Sequence, residues 1–234
     1  MSRQYPDHCM LDIETLGIRP GSVILSIGAV KFDLYSDTPV PMPGDPATLH
    51  MTFTAHVSVT DSVRHGLTID PSTVLWWLAQ SEVARQDVVQ GQRAAMPLQQ
   101  ALIAFSCWLS NSPPAKYVWA HGATFDPVLL AAAYIAADVD NPMNFRNVRD
   151  TRTLYAMAKD LIPNPPAWPE PPLQHAAIWD AWTQAEYARR CALALATAAA
   201  EATAAALAAS AALAALATAS PYNNTIFAPS PAQH

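Results

Sequence analysis

Met10-Leu11-Asp12-Ile13-Glu14-Thr15-Leu16-Gly17 sets two carboxylates two residues apart inside an apolar run. In a β-strand, residues i and i+2 point to the same face. Asp12 and Glu14 therefore stand side by side, with Leu11 and Ile13 directed the other way. Two neighbouring carboxylates on a buried strand repel each other and are costly to desolvate, and a cation between them relieves both penalties. A strand with one wet face explains the same pattern, because polar-out alternation is common in sheets. The choice rests on what the rest of the chain brings to this strand.

Outward from this strand (Cys9 to Glu14), Gly17, Pro20 and Gly21 mark a turn. Val23 to Asp33 is β-branched and apolar and predicts a second strand, with Gly28 inside it marking a bulge or a close backbone approach. The proline-dense segment Ser36 to Pro46 is a loop, and Met51 to Val57 alternates as a third strand. Three consecutive strands with short links predict an antiparallel meander. Asp70-Pro71 predicts a helix start, with Asp as N-cap and Pro at the first helical position. Ser81 predicts a second cap opening Glu82 to Val89, and a third helix is expected from about Pro97 to Leu109. Lys116 to His121 reads as a fourth strand. Asp126-Pro127 then opens a helix over Val128 to Ala137, with Asp126 at the N-cap position. Asn144 to Val148 reads as a fifth strand, and Asp150 caps a helix ending near Lys159. A loop with Pro163, Pro165, Pro166, Pro169, Pro171 and Pro172 follows. Leu173 to Ala219 holds no Pro or Gly and predicts one or two long helices.

The 234 residues suffice for one large domain or a domain with an extension. We expect a main domain over 1–190, an Ala-rich helical extension over 191–220 and a disordered tail over 221–234. Thirteen basic against nineteen acidic residues leave a formal charge of −6, which argues against nonspecific coating of nucleic acid. Three separated cysteines, Cys9, Cys107 and Cys191, suggest neither a disulfide framework nor a zinc site; buried thiols in a reducing compartment are expected. The segment from Cys191 to Ser220 is long enough to span a bilayer. Its residues are mostly weakly apolar Ala, interrupted by Glu201, Thr and Ser, so no membrane association is expected. Leu193, Leu195, Leu207, Leu213 and Leu216 hold no heptad. No apolar signal region opens the N-terminus, and the expected location is cytoplasmic, the host cytoplasm for a phage-encoded chain.

Past the second proline loop stands His175-Ala176-Ala177-Ile178-Trp179-Asp180-Ala181. His175 and Asp180 cannot share a helix face, but they converge if His175 lies in the loop or first turn and Asp180 on the helix. Each is unremarkable alone: a lone His is commonly a surface residue, Asp126 a cap, Asp180 a solvated position. The order is the informative feature, with Asp-x-Glu on the first strand, Asp after the fourth, and His-x4-Asp at the start of a late helix.

In that order and on those elements, residues 8 to 190 resemble the DEDDh group of DnaQ-like 3′→5′ exonucleases. Asp12-Ile13-Glu14-Thr15 resembles the first motif of the group, Asp126 the second, and His175 with Asp180 the third. A phage and bacterial subfamily is the most similar, sharing Trp76-Trp77, Arg149-Asp150-Thr151-Arg152-Thr153-Leu154 and Asp180-Ala181 followed by Gln184-Ala185. The resemblance implies an α/β, ribonuclease H-like fold: a mixed five-stranded sheet, antiparallel meander then parallel strands, flanked by helices, here with a long Ala-rich C-terminal helix.

It also implies that Asp12, Glu14, Asp126 and Asp180 ligate two ions, Mg²⁺ or Mn²⁺, which prefer hard oxygen donors. Two such ions about 3.5–4 Å apart clamp an in-line phosphoryl displacement. His175 would be the general base, since histidine changes charge near neutral pH. Thr15 and Leu16 would lie against the terminal nucleotide. The implied activity is hydrolysis of phosphodiester bonds at nucleic-acid 3′ ends, releasing nucleoside 5′-monophosphates. A single-stranded 3′ end is the expected partner and a homodimer the expected assembly. Arg149 and Arg152 fit phosphate contacts and helix-surface salt bridges equally well, and Trp76 or Trp77 fits core packing or base stacking. Two other functions remain open: a catalytically silent nucleic-acid-binding or assembly module on the same fold, and a phosphoesterase acting on small nucleotides. DNA and RNA are not distinguished, because that choice rests on contacts around the 2′-hydroxyl.

Overall fold

In a computed structural model, residues 7–111 and 113–219 are described. The expected tail over 221–234 lies outside them. The chain forms two units, residues 1–195 and 196–234. In order, the elements are β1 (His8–Thr15), β2 (Ile24–Phe32), β3 (Thr52–His56), α1 (Val59–Arg64), α2 (Pro71–Leu78), α3 (Glu82–Arg93), α4 (Leu98–Ser110), β4 (Tyr117–Ala120), α5 (Asp126–Ala136), β5 (Val148–Asp150), α6 (Thr151–Leu161) and α7 (Ala177–Ala219). The strands form one sheet in the order β3-β2-β1-β4-β5. The β1–β2 and β2–β3 pairs are antiparallel, and β1–β4 and β4–β5 are parallel. This is the mixed, ribonuclease H-like arrangement that the resemblance implies.

Strand alternation divides the core in two. Cys9, Leu11 and Ile13 point into a cluster with Leu98, Leu102 and Phe105 of α4 and Leu129, Leu130 and Tyr134 of α5. Met10 points to the opposite face, packing with Val30, Phe32, Trp119 and Ala181, Ala185 and Ala188 of α7. Asp12 and Glu14 continue the Met10 side. The small residues on α7 recur at helical spacing and let its backbone approach the sheet closely. Gly28, opposite Asp12 in the β1–β2 ladder, completes this approach. The peptide joining Ala177 to Ile178 fills the space that a Cβ on Gly28 would need. Of the two readings of Gly28, the close approach holds; the ladder irregularity falls instead between Glu14 and Thr15.

Local capping follows the sequence at several ends. Asp70 caps α2, Ser81 caps α3 and Asp150 caps α6, each side chain accepting a backbone N–H of the first turn. Four details differ from expectation. The fifth strand covers Val148–Asp150 rather than 144–148. Asn144 accepts from the Arg146 N–H and caps a 3₁₀ turn over Phe145–Asn147, so pairing with β4 begins only at Val148. The helix opened by Ser81 runs on through Gly91 to Arg93, and the His56 ring takes the space a Gly91 side chain would need. Ser58, accepting from Asp61, starts α1, a helix that periodicity did not reveal. Cys9 and Cys191 are buried, but Cys107 is exposed on the outer side of α4.

Lys31 is buried beside the C-terminal end of α4. Its ammonium donates to the Trp108 carbonyl at 2.5 Å and the Asn111 carbonyl at 3.0 Å, adding to the Asn111 N–H that closes the helix on Trp108. Within the first unit, residues 177–195 of α7 pack on the sheet through Ala181, Ala185, Ala188 and Ala192. Residues 196–217 are exposed except for half-buried Ala198. By length and composition, α7 is one helix long and apolar enough to cross a membrane among the described residues.

Candidate active site

Strand β1 ends beside the first turns of α5 and α7. Asp12 and Glu14 leave β1 on the α7 side and are only partly covered. Asp126 stands at the first position of α5 and is buried. It does not cap its own helix, as the sequence suggested; Phe125 holds the N-cap position, and no side chain caps this helix. Instead the Asp126 carboxylate accepts the Ile13 N–H at 3.1 Å, tying the start of α5 to the strand between Asp12 and Glu14. Asp180 lies in the first turn of α7. His175 sits just before that helix with φ +59, in the left-handed region. This is the loop-and-helix placement that allows the two side chains to converge.

One ligand atom each from Glu14, His175 and Asp180 lies within 4.8 Å of the others. Asp12 and Asp126 complete the group. Burial raises all four carboxyls, and repulsion within the group adds to it at Asp12 and Glu14. Burial raises Asp12 well above the ordinary aspartate range, and repulsion from Asp126, Glu14 and Asp180 adds to it. Burial pushes Glu14 up to about 8, with Asp180, Asp126 and Asp87 reinforcing the shift. Asp126 rises to about 6 through burial, opposed by the Ile13 N–H and by the Arg152 charge. Burial also raises Asp180, against the attraction of His175 and a backbone hydrogen bond from the same residue. Desolvated carboxylates that repel one another make a poor structural cluster and a good seat for cations. The donors are hard oxygens with one imidazole at the edge, the set that suits Mg²⁺ or Mn²⁺. A buried amide points the same way. Gln184 donates to Asp12 Oδ1 at 2.8 Å, and its Oε1 is buried without a hydrogen-bond partner among the described residues.

Beside the carboxylates is a cleft of about 400 Å³, lined by Glu14, Thr15, Ile18, Thr73, Trp76 and Phe125 together with Ile13, Ser72 and Trp77. Its walls are mostly apolar, and of the carboxylate group Glu14 lines it. Thr15 lies in this lining. Leu16 does not; its side chain packs against the core, and exposed Ile18 takes the corresponding place at the cleft. The two tryptophans divide their work. Trp77 is buried and donates through Nε1 to the Thr15 carbonyl at 2.9 Å, fixing the end of β1. Trp76 is partly exposed and meets the His175 ring edge-on, with centroids 5.1 Å apart and planes at 81°.

Five nearby side chains had no reading or an open one. Asp87 of α3 adds a negative charge felt by Glu14 beside those of Asp180 and Asp126. Gln184, which contacts Asp12, carried no local signal beyond the run Asp180-Ala181 with Gln184-Ala185. Of the two arginines, Arg149 lies over the Tyr117 ring at 4.6 Å and donates to the Arg146 and Val148 carbonyls. Arg152 stands beside Gly122 at the β4–α5 turn, where its charge reaches Asp126 and His121. His121 belongs to a separate aromatic group and donates or accepts at Thr151 Oγ1 over 3.1 Å.

The fold is similar to those of several solved structures. The crystal structure of cell-death related nuclease 4 superposes with a TM-score of 0.54 at 11% identity, over 79% of this chain and 64% of that one. The chain thus spans under two thirds of that nuclease. The nuclease domain of 3′hExo, a DEDDh family member bound to rAMP, gives 0.46 at 16% identity over 81% and 93%. The RNase domain of the yeast Pop2 protein gives 0.46 at 9% identity over 81% and 77%. The first of these, at 11% identity, shows the fold alone. No curated protein matches the sequence. The family model of the 3′-5′ exoribonuclease Rv2179c-like domain matches residues 7–192, a span that contains all four carboxylates and His175, and the chain belongs to that family.

Proposed function

We propose that this protein is a metal-dependent 3′→5′ exonuclease that hydrolyses the terminal phosphodiester bond of a single-stranded nucleic acid and releases nucleoside 5′-monophosphates. The observation that carries the reading is the convergence of Asp12, Glu14, Asp126 and Asp180 with His175 at the end of β1, beside a cleft open to a nucleotide. RNA is the preferred polymer, in keeping with the family description. The catalytic domain spans residues 1–190, and the protein works as a homodimer.

Two divalent ions would supply a nucleophilic water at neutral pH and charge neutralisation at the phosphate. Asp12, Glu14, Asp126 and Asp180 would hold them. Gln184 orients Asp12, and the Ile13 N–H orients Asp126, so two of the four ligands are fixed from behind. His175 accepts the proton of the attacking water at a ring nitrogen and passes it to solvent. Trp76 and Ile18 flank the terminal base, and Trp77 holds the Thr15 carbonyl so that the strand end keeps its place.

The test is digestion of end-labelled single-stranded RNA and DNA side by side, with Mg²⁺ or Mn²⁺, for the wild type and for Asp12→Ala and Asp180→Ala. Stepwise loss from the 3′ end, faster on RNA and absent in both variants, is expected. Sustained hydrolysis by either variant, or binding without turnover in Mn²⁺, overturns the reading.

A further inference from the structure

The loop from Ile162 to Ala176 joins α6 to α7 and carries His175 near its end. It contains six prolines and no regular element, and most of its residues are exposed. Before Ala176 the loop touches the domain at Trp168-Pro169, where the Trp168 side chain stays partly exposed. Pro169 is buried. The Trp168 ring meets three others: His121 at 5.9 Å, Tyr155 at 5.5 Å and Tyr187 at 4.8 Å between centroids. Those rings belong to the end of β4, to α6 and to α7, and they are themselves fixed. Tyr155 and Tyr187 lie 4.4 Å apart, and the Tyr155 hydroxyl donates to the Gln184 carbonyl at 2.9 Å.

Between this anchor and His175 runs Pro169-Glu170-Pro171-Pro172-Leu173-Gln174. Proline fixes φ and restricts the residue before it, so such a segment behaves as a semi-rigid strut. Leu173 adds a second contact, lining a small cavity with Ser26, His56 and Asp87. His175 itself is held at φ +59. A non-glycine residue persists there only where its surroundings determine the conformation. The Trp76 ring bounds it on one side, and the chain behind it leads back to Trp168.

We propose that Trp168 is a positioning residue for His175: the aromatic group of His121, Tyr155 and Tyr187 fixes one end of a proline strut whose other end presents the imidazole to Glu14 and Asp180. The proposal rests on the reading of His175 as the general base.

The experiment uses the full chain with Trp168→Ala, Trp168→Phe and the double variant Pro171→Gly/Pro172→Gly, which loosens the strut and leaves the aromatic group intact. Amide hydrogen exchange is followed at residues 173–176 and on β1, with kcat and KM on an RNA oligonucleotide in Mn²⁺. For Trp168→Ala and for the glycine variant, exchange at 173–176 rises about tenfold or more while β1 is unchanged. kcat falls about ten- to a hundredfold with KM within about twofold. Trp168→Phe keeps most of both. Unchanged exchange at 173–176 in a folded variant, or a loss confined to KM, overturns the proposal, and the glycine variant decides it if Trp168→Ala does not fold. A wild type without nuclease activity sinks the base role of His175, whereas the exchange arm still reads whether Trp168 pins the loop.

Discussion

The peptide of Ala177 occupies the space in which Gly28 would carry a side chain. Gly28 is paired with Asp12, so the contact sets the height of α7 above the carboxylates. Gly28→Ala therefore has no small adjustment available: backbone faces backbone, and α7 must lift. We expect a loss of about 1–3 kcal/mol, the usual penalty for overpacking a core, measured by urea denaturation. Nuclease activity falls more steeply than stability, because Asp180 moves with α7. An alanine variant of wild-type stability and activity contradicts this account.

Asp12 is destabilising without a cation and indispensable with one, so its neutralisation has opposite effects on two measurements. Asp12→Asn keeps an oxygen for the Gln184 N–H and removes the repulsion from Asp126, Glu14 and Asp180. In EDTA the variant melts above the wild type. In Mg²⁺ the order reverses, and activity drops on the order of 10³-fold. Calorimetric scans with and without metal, beside the digestion assay, check both signs. A variant that melts lower in both conditions shows that Asp12 is structural.

The two faces of β1 were legible because strand alternation is a local rule, and Met10, Asp12 and Glu14 obey it against Leu11 and Ile13. His175 and Asp180 were legible as a loop residue and a helix residue for a similar reason: helical geometry forbids one shared face. Asp126 shows the limit. Asp-Pro at a helix start reads as a cap, and only the tertiary fold reveals that its carboxylate goes to Ile13, 113 residues earlier. Gln184 and Asp87 lie beyond local reading altogether, since a polar residue on a helix gives no sign of which strand it faces. Adjacent Trp76 and Trp77 share one sequence signal and both line the cleft, yet Trp77 is buried and Trp76 exposed, because neighbouring helix positions point about 100° apart. Leu16, which the resemblance implies at the nucleotide, packs against the core beside β1, and Ile18 lines the cleft.

Metal removal couples stability to pH in a direction fixed by the raised carboxyls. Glu14 is pushed up to about 8 from an ordinary 4.5, and Asp12 and Asp180 also rise. Between those limits the folded chain keeps protons that the unfolded chain has released, so stability falls as pH rises. The contribution is complete below about pH 4.5 and lost by the time pH passes 8. In EDTA, the melting temperature is therefore expected to decline from pH 5 to pH 8. With Mg²⁺ the decline flattens or reverses, because metal binds the deprotonated group. Scans at pH 5, 6.5 and 8 in both media check this. A curve in EDTA that rises across the range removes the carboxyl group as a source of strain.

Glu186 has the opposite sign and a different place. It is buried on α7 and accepts from Arg189 Nε at 2.9 Å, Arg189 Nη2 at 2.7 Å, Arg190 Nε at 2.8 Å and the Val40 N–H at 3.1 Å. Arg189 also donates to the Ser36 carbonyl at 2.9 Å. Together they fasten the proline-rich loop after β2 to the helix. Burial works against this carboxylate, but the arginines and the Val40 N–H outweigh it and hold its pKa below the usual range. Its stabilisation is thus present above about pH 4.5 and lost as pH falls further. Glu186→Ala leaves Arg189 buried without its counter-charge and is expected to cost roughly 3–5 kcal/mol. None of its partners belongs to the carboxylate group at β1, so activity per folded molecule stays within about twofold. Adding Arg189→Met removes the stranded charge and returns much of the loss, since an apolar pair of similar volume replaces a buried ion pair at little cost. Denaturation of the single and double variants at pH 7 measures both steps; equal losses in the two show that the loop, rather than the stranded charge, carries the energy.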